Sequence, residues 1–166
     1  MRFELFGEQH LAALRAMLDD PDILRFTRIP VPPPPDFGET WLARYAGARR
    51  DGSREAFAVL DDDGDVVGFA LVPSLDRETG EAELGYMVGP RHRGRGFATA
   101  ILRQLTRWAF DQGVQRCELV IDVRNPASEK VAQRAGYVRE GTMRSIAFKG
   151  GERVDAGLWS RLPSDP

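Results

Sequence analysis

The chain has little cysteine, histidine or lysine. Cys117 is the single cysteine among 166 residues, so no internal disulfide can form. With only His10 and His92 beside it, no structural zinc set is available, and no metal is expected. Lys130 and Lys149 are the only lysines; every other cationic residue is arginine. Long apolar runs are missing too. The longest, Val66–Val72, is broken by Gly68, where a membrane span needs about 20 residues. Met1-Arg2-Phe3-Glu4 lacks the apolar stretch of a signal peptide. No membrane partner is therefore expected, and a cytoplasmic location is, with which a lone thiol agrees. Charge of one sign is scarce as well: 23 bases against 25 acids give a net charge of −2. A dedicated nucleic-acid domain is usually strongly basic, so no nucleic-acid partner is expected.

What is present suffices for a core. Apolar residues make up 42% of the chain, and its length predicts a single domain over 1–166. Residues 9–19 carry a helical apolar pattern that Asp19-Asp20-Pro21 ends, and 39–48 carry a second one. Between them lies Pro30-Val-Pro-Pro-Pro-Pro35, read as a rigid surface loop or as one wall of a substrate cleft. Ala56–Leu60 and Val66–Val72 read as strands around an acidic, glycine-containing turn, and 81–88 as a third strand. Residues 94–112 form the strongest amphipathic helix, with Phe97, Ile101, Leu105 and Trp108 on one face. Cys117–Val123 alternates as a strand. Asn125-Pro126 opens another helix, running to Ala135, and Tyr137–Phe148 and Val154–Leu162 close the chain as two strands. Helices, a run of antiparallel strands and then β-α-β-α-β-β amount to a mixed α/β sheet with helices on its faces.

The arginines are unevenly spread. Arg91, Arg93, Arg95, Arg103 and Arg107 fall between a strand and a helix, and no acid occurs from Arg91 to Phe110. A helix N-terminus has unpaired N–H groups and a favourable dipole for an anion. Glycines let the backbone wrap a phosphate, and arginine adds charge-assisted donors. The nucleoside-triphosphate loop does not fit, because no Gly-Lys-Ser/Thr follows. The dinucleotide fingerprint does not fit either, because Thr99 stands where its third glycine belongs.

Arg93-x-x-Gly96-x-Ala98 resembles the Arg/Gln-x-x-Gly-x-Gly/Ala signature of the GCN5-related N-acetyltransferases (GNAT). The same pattern also fits from Arg91, but the Val-x-Pro spacing before it favours the Arg93 register. The likeness continues through Asn125-Pro-Ala-Ser128, through Ala135-Gly136-Tyr137 and Glu140-Gly141, and to Asp155 and Trp159. This later part is similar to the branch that acetylates ribosomal-protein N-termini. The resemblance implies a mostly antiparallel sheet splayed between two parallel strands and flanked by about four helices. It implies acetyl-CoA as co-substrate, with pantetheine against the backbone of Met87 and Val88. The pyrophosphate would sit on a loop of Arg93, Gly94, Arg95, Gly96, Phe97, Ala98 and Thr99, with Asn125 and Ser128 as further contacts.

The expected activity is transfer of an acetyl group to a primary amine, a protein N-terminus or a small molecule, by direct attack. A CoA-binding sensor is the alternative. Its motive is Ala132, which stands where many family members carry a tyrosine acid seven residues after the asparagine. Ser128 matches the serine that the ribosomal-protein branch uses instead, and is equally a helix-start residue. Asn125 reads as an N-cap, a CoA contact or both. Glu83 is the first base candidate and shares a strand face with Gly85 and Met87, opposite Leu84 and Tyr86. The resemblance to the ribosomal-protein branch implies a carboxylate base in the strand after Glu140-Gly141; Arg144–Phe148 contains no acid, so Asp155 reads as a substitute base or as a structural hydrogen-bond acceptor. His92 reads as a solvent-facing loop residue and Cys117 as a buried structural thiol. The acceptor would lie against the N-terminal helices, the proline loop and the last hairpin. Asp19, Asp20, Asp22 and Asp36 make that region acidic, which favours a cationic amine. Monomer and homodimer both stay open.

Overall fold

A computed structural model describes residues 1–166. One seven-stranded sheet runs through it. Its strands are β1 (Arg2–Leu5), β2 (Glu55–Leu60), β3 (Val66–Asp76), β4 (Glu81–Val88), β5 (Arg116–Asp122), β6 (Val138–Ala147) and β7 (Arg153–Arg161). Their spatial order is β1-β2-β3-β4-β5-β7-β6. All neighbours are antiparallel except β4 and β5. Five α-helices cover the faces: α1 (Leu11–Met17), α2 (Pro21–Phe26), α3 (Phe37–Asp51), α4 (Phe97–Asp111) and α5 (Pro126–Arg134).

The two faces have separate cores. On one, Ile101, Leu102 and Leu105 of α4 pack with Ala132 of α5 against Leu84, Leu119 and Trp159 of the sheet. Each such fully buried aliphatic side chain contributes roughly 1.5–3 kcal/mol. On the other, Leu14, Ile23, Trp41 and Tyr45 from α1–α3 pack against Phe69 and Met87. The alternation along β4 assigns its residues to these cores in turn, Leu84 to the first and Met87 to the second.

Two elements depart from the sequence pattern. Asp20-Pro21, read as a helix stop, is a helix start. Asp20 Oδ1 accepts the Ile23 N–H at 2.9 Å and Pro21 takes the first position of α2. Signals for ending one short helix and opening the next are superimposed there. β1 carries no pattern because four residues are too few to show a period; it is held by pairing with β2 and by Phe3 against Phe57. Boundaries move as well: β3 runs on to Asp76 and α3 spans Phe37–Asp51. α4 begins at Phe97, leaving Gly94–Gly96 as a loop, and Val123 falls past β5 and is exposed.

Glu140, part of the motif read from the sequence, is a structural residue. Arg116 holds its two oxygens at 2.8 and 2.6 Å, and Ser160 Oγ donates to it at 2.6 Å, so it ties β5, β6 and β7 together. Arg116 and then Ser160 hold the carboxyl down at about 2. A depressed carboxylate stabilises the fold above its ordinary value of about 4.3 and stops doing so as pH falls toward its folded value. Glu140→Gln should therefore lower the melting temperature by about 2–4 °C at pH 7. The gap should close between about pH 5 and 2, as read by melting curves across that range.

Candidate functional site

The β4–β5 pairing is short. It covers Glu81↔Arg116, Ala82↔Cys117 and Glu83↔Glu118, and from Leu84 and Leu119 onward the strands part. A cavity of about 780 Å³ opens in the gap, lined by Leu84–Met87 of β4, Leu119–Asp122 of β5, and Asn125 and Ser128. It continues to Thr27–Pro30, Phe37, Trp41 and Tyr45. Pro30 and Pro34 line it, so the proline loop is partly a cleft wall.

The peptide groups facing the gap follow from register. Gly89 N–H donates to Val67 O at 2.9 Å. Antiparallel alternation then turns Met87 toward β3 and leaves the peptide groups of Tyr86 and Val88 directed at the gap. Gly68 supports this assignment, because a Cβ there would collide with the Met87 carbonyl oxygen. Of the two residues expected along pantetheine, Val88 has its peptide directed at the gap by this register, while Met87 pairs with β3 and has its side chain in the core at the cavity wall.

The loop after β4 has the geometry expected of an anion cradle. Pro90–His92 makes one 3-10 turn, and Arg93 N–H donates back to Pro90 O. The next six N–H groups, Gly94 to Thr99, donate to no protein acceptor; the first helical bond is Ala100 to Gly96. Gly94 and Gly96 have φ of +74° and +84°, the left-handed region that turns successive N–H groups to one side. A Cβ at either would meet nothing within 4 Å, so dihedral angle rather than crowding requires glycine here. The α4 N-terminus adds its dipole.

The arginines divide by role. Arg93 is not free: its guanidinium lies 2.6 Å from Asp20 Oδ1 and 3.3 Å from Asp22 Oδ2. Its expected contact with pyrophosphate is therefore not prepared, because both its side chain and its N–H are already engaged. Arg103 donates to the Arg134 carbonyl. Arg91 and Arg95 carry no ion pair, and Arg95 rests over the Phe97 ring, 5.2 Å from its centroid. His92 is half-buried, not solvent-facing, with its ring edge-on to Phe97 at 6.0 Å.

Asn125 is an N-cap: its Oδ1 accepts the Ser128 N–H at 3.1 Å. That leaves the Ser128 hydroxyl for another partner, which is the Tyr86 hydroxyl at 2.8 Å. Burial pushes Tyr86 up to about 12, so it stays protonated near neutrality. Sequence reasoning missed Tyr86. It noted the residue only as lying opposite Glu83, and the 42 positions separating it from Ser128 hide the pair. Glu83 is half-buried on the other face, with Arg28 Nη1 at 3.1 Å from its carboxylate. Both faces reach one cavity because the splay opens the sheet through its thickness.

Other candidates have structural roles. Asp155 Oδ1 accepts the Ser145 N–H at 2.8 Å across the irregular β6–β7 pairing. Cys117 is buried, and burial pushes its thiol up to about 12, which makes it inert. No helix is long and apolar enough to cross a membrane.

The description "Acetyltransferase (GNAT) domain" matches residues 1–138. An L-amino acid N-acetyltransferase of Escherichia coli, AaaT, is 33% identical over 90% of this chain and 90% of its own length. A ribosomal-protein-serine acetyltransferase of the same organism is 26% identical over 67% of this chain and 62% of its own. Among solved structures, spermidine N-acetyltransferase from Vibrio cholerae, in complex with CoA and spermine, superposes with a TM-score of 0.86 at 20% identity. That match covers 99% of this chain and 96% of the other.

Proposed function

The chain belongs to the GNAT acetyltransferases, which makes it an acetyl-CoA-dependent N-acetyltransferase of amines, and we propose that Glu83 and the Ser128–Tyr86 hydroxyl pair serve its two proton transfers. The observation that carries this reading is the splayed cavity with a carboxylate on one face and a hydroxyl pair on the other. Acetyl-CoA supplies the acetyl group as an activated thioester. The six N–H groups of Gly94–Thr99 hold the pyrophosphate, with Arg91 and Arg95 beside them. The Val88 N–H is the donor aimed at the reacting carbonyl oxygen. Holding both reactants in one cavity supplies orientation for direct attack by the amine.

Glu83 takes the proton that the attacking amine must lose. An α-amine of pKa about 7.7–8.0 needs little help, whereas a lysine amine near 10.4 needs more. Ser128, backed by Tyr86, gives a proton to the departing sulfur. This hydroxyl pair replaces the tyrosine that Ala132 removes, so an enzyme is favoured over a sensor. The acceptors named for the relatives include amino acids, ribosomal protein and polyamines. A cytoplasmic site agrees with the buried, unpaired Cys117.

Glu83→Gln tests the base. Turnover, followed as thiol release, should fall most at pH 6, where the amine is protonated, and approach the parent's rate at pH 9. A rate unchanged across that range removes Glu83 from the mechanism. The reading as a whole is tested by mixing the protein with acetyl-CoA and a panel of primary amines. Absence of both thiol release and any acetyl-CoA-dependent rise in melting temperature would end it.

A further inference from the structure

The acceptor end of the cavity is less acidic than expected. Of the four acids expected there, Asp20 and Asp22 are drawn away to Arg93, and neither they nor Asp19 line it; Asp36 does. Three arginines do line it: Arg28 before the proline loop, Arg44 on α3 and Arg54 at the entry to β2. Topology gathers them. Leu75 N–H donates to Ser53 O at 2.8 Å, and Ser74 is paired with Glu83, so Arg54, Ser74 and Glu83 sit across three neighbouring strands. Arg44 precedes Tyr45, whose ring is buried while its hydroxyl bonds to no protein group. Arg28, Arg44, Tyr45, Arg54 and Glu83 all line the one cavity, so the five side chains share one locality.

The charges there do not cancel. Arg28 is paired with Glu83. Asp122 is paired with Arg124, and Asp36, which keeps its charge, is the N-cap residue at the far end of α3, about 12 Å along the helix from Arg44. Arg44 and Arg54 have no carboxylate partner and no hydrogen bond. Two uncompensated guanidiniums beside a carboxylate form a zwitterion's complement: ammonium to Glu83, anion to the arginines. The remaining wall, with Ile29, Phe37 and Trp41, is apolar.

We infer that the acceptor is a small primary amine carrying a carboxylate and an apolar body, read by Arg44 and Arg54, rather than a polyamine. This rests on the acetyl-transfer reading given above. A polyamine would bring further positive charge against unpaired guanidiniums.

Thiol release with L-phenylalanine, L-phenylalaninamide and spermidine tests it. Charge-assisted pairing predicts that kcat/KM for phenylalanine exceeds that for its amide by about 10- to 100-fold, with spermidine lower still. The amide's amine is the less basic and more often neutral, so this preference runs against amine reactivity. Arg44→Gln with Arg54→Gln should bring the ratio near one, and Arg44→Lys should retain part of it. Equal rates for acid and amide, or preference for spermidine, would overturn the carboxylate inference and leave acetyl transfer standing. Binding is read separately, from the melting-temperature rise given by N-acetyl-phenylalanine and by its amide. A larger rise with the acid supports the inference; equal rises, or none, overturn it whatever the turnover. Loss of the acetyl-CoA-dependent rise would instead count against the function itself.

Discussion

Replacing Gly96 with valine should abolish the rise in melting temperature that CoA produces. Ligand at 100 times its dissociation constant adds about 2.7 kcal/mol, a shift of about 5–11 °C for a chain of this length. Gly96 lies at φ +84°. A side chain in that region costs about 1–2 kcal/mol. Relief of the strain turns the following peptide and takes N–H groups out of the cradle. Each charge-assisted bond lost is worth roughly 1.5–3 kcal/mol, so losing two weakens CoA by at least about 100-fold. The free protein should melt only about 2–8 °C lower. Gly64 supplies the control. It sits at φ +91° in the β2–β3 turn, again with nothing within 4 Å of a Cβ. Gly64→Val should cost similar stability while keeping the CoA-dependent shift. A full shift in Gly96→Val would mean that the cradle is not the phosphate site.

The second large effect is on turnover. Ser128→Ala should lower kcat about 100-fold, the lower end of what a positioned proton donor supplies. Helix α5 should survive, because Asn125 rather than Ser128 caps it. Tyr86→Phe should lower kcat too, since it removes the partner that fixes the Ser128 hydroxyl at 2.8 Å. The two hydroxyls act as one unit, so the double variant should be little slower than the slower single one. The KM for acetyl-CoA should move far less than kcat, because the cradle is untouched. If both single variants keep kcat within about twofold, the sulfur takes its proton from elsewhere.

Local signals were strong in the second half of the chain. Helix α4, strand β5, the Asn125 cap with Pro126 and the closing β-hairpin all have regular periods or caps, and each falls within a few residues of its expected place. The first half was harder. β1 is too short for periodicity, and α2 begins on residues that also end α1. Of the site, the Gly94–Gly96 loop was legible because its chemistry is local: backbone groups, glycines and a helix start in sequence. Glu83 and Ser128 were legible as candidates, but not their partners Arg28 and Tyr86, which come from 55 and 42 residues away.

Sequence alone determined the family, the mixed α/β class and the glycine loop ahead of α4, because each rests on patterns that are local in the chain. The tertiary structure decided which charges are spent. Arg93 is engaged by Asp20 and Asp22, which occupies a guanidinium expected at the phosphate and draws two of the expected acids off the acceptor wall. It likewise decided that Tyr86 meets Ser128 and that Arg44 and Arg54 stand unpaired at the cavity. A side chain's charge can be read from its letter. Whether another part of the chain has already neutralised it depends on distances that only folding sets.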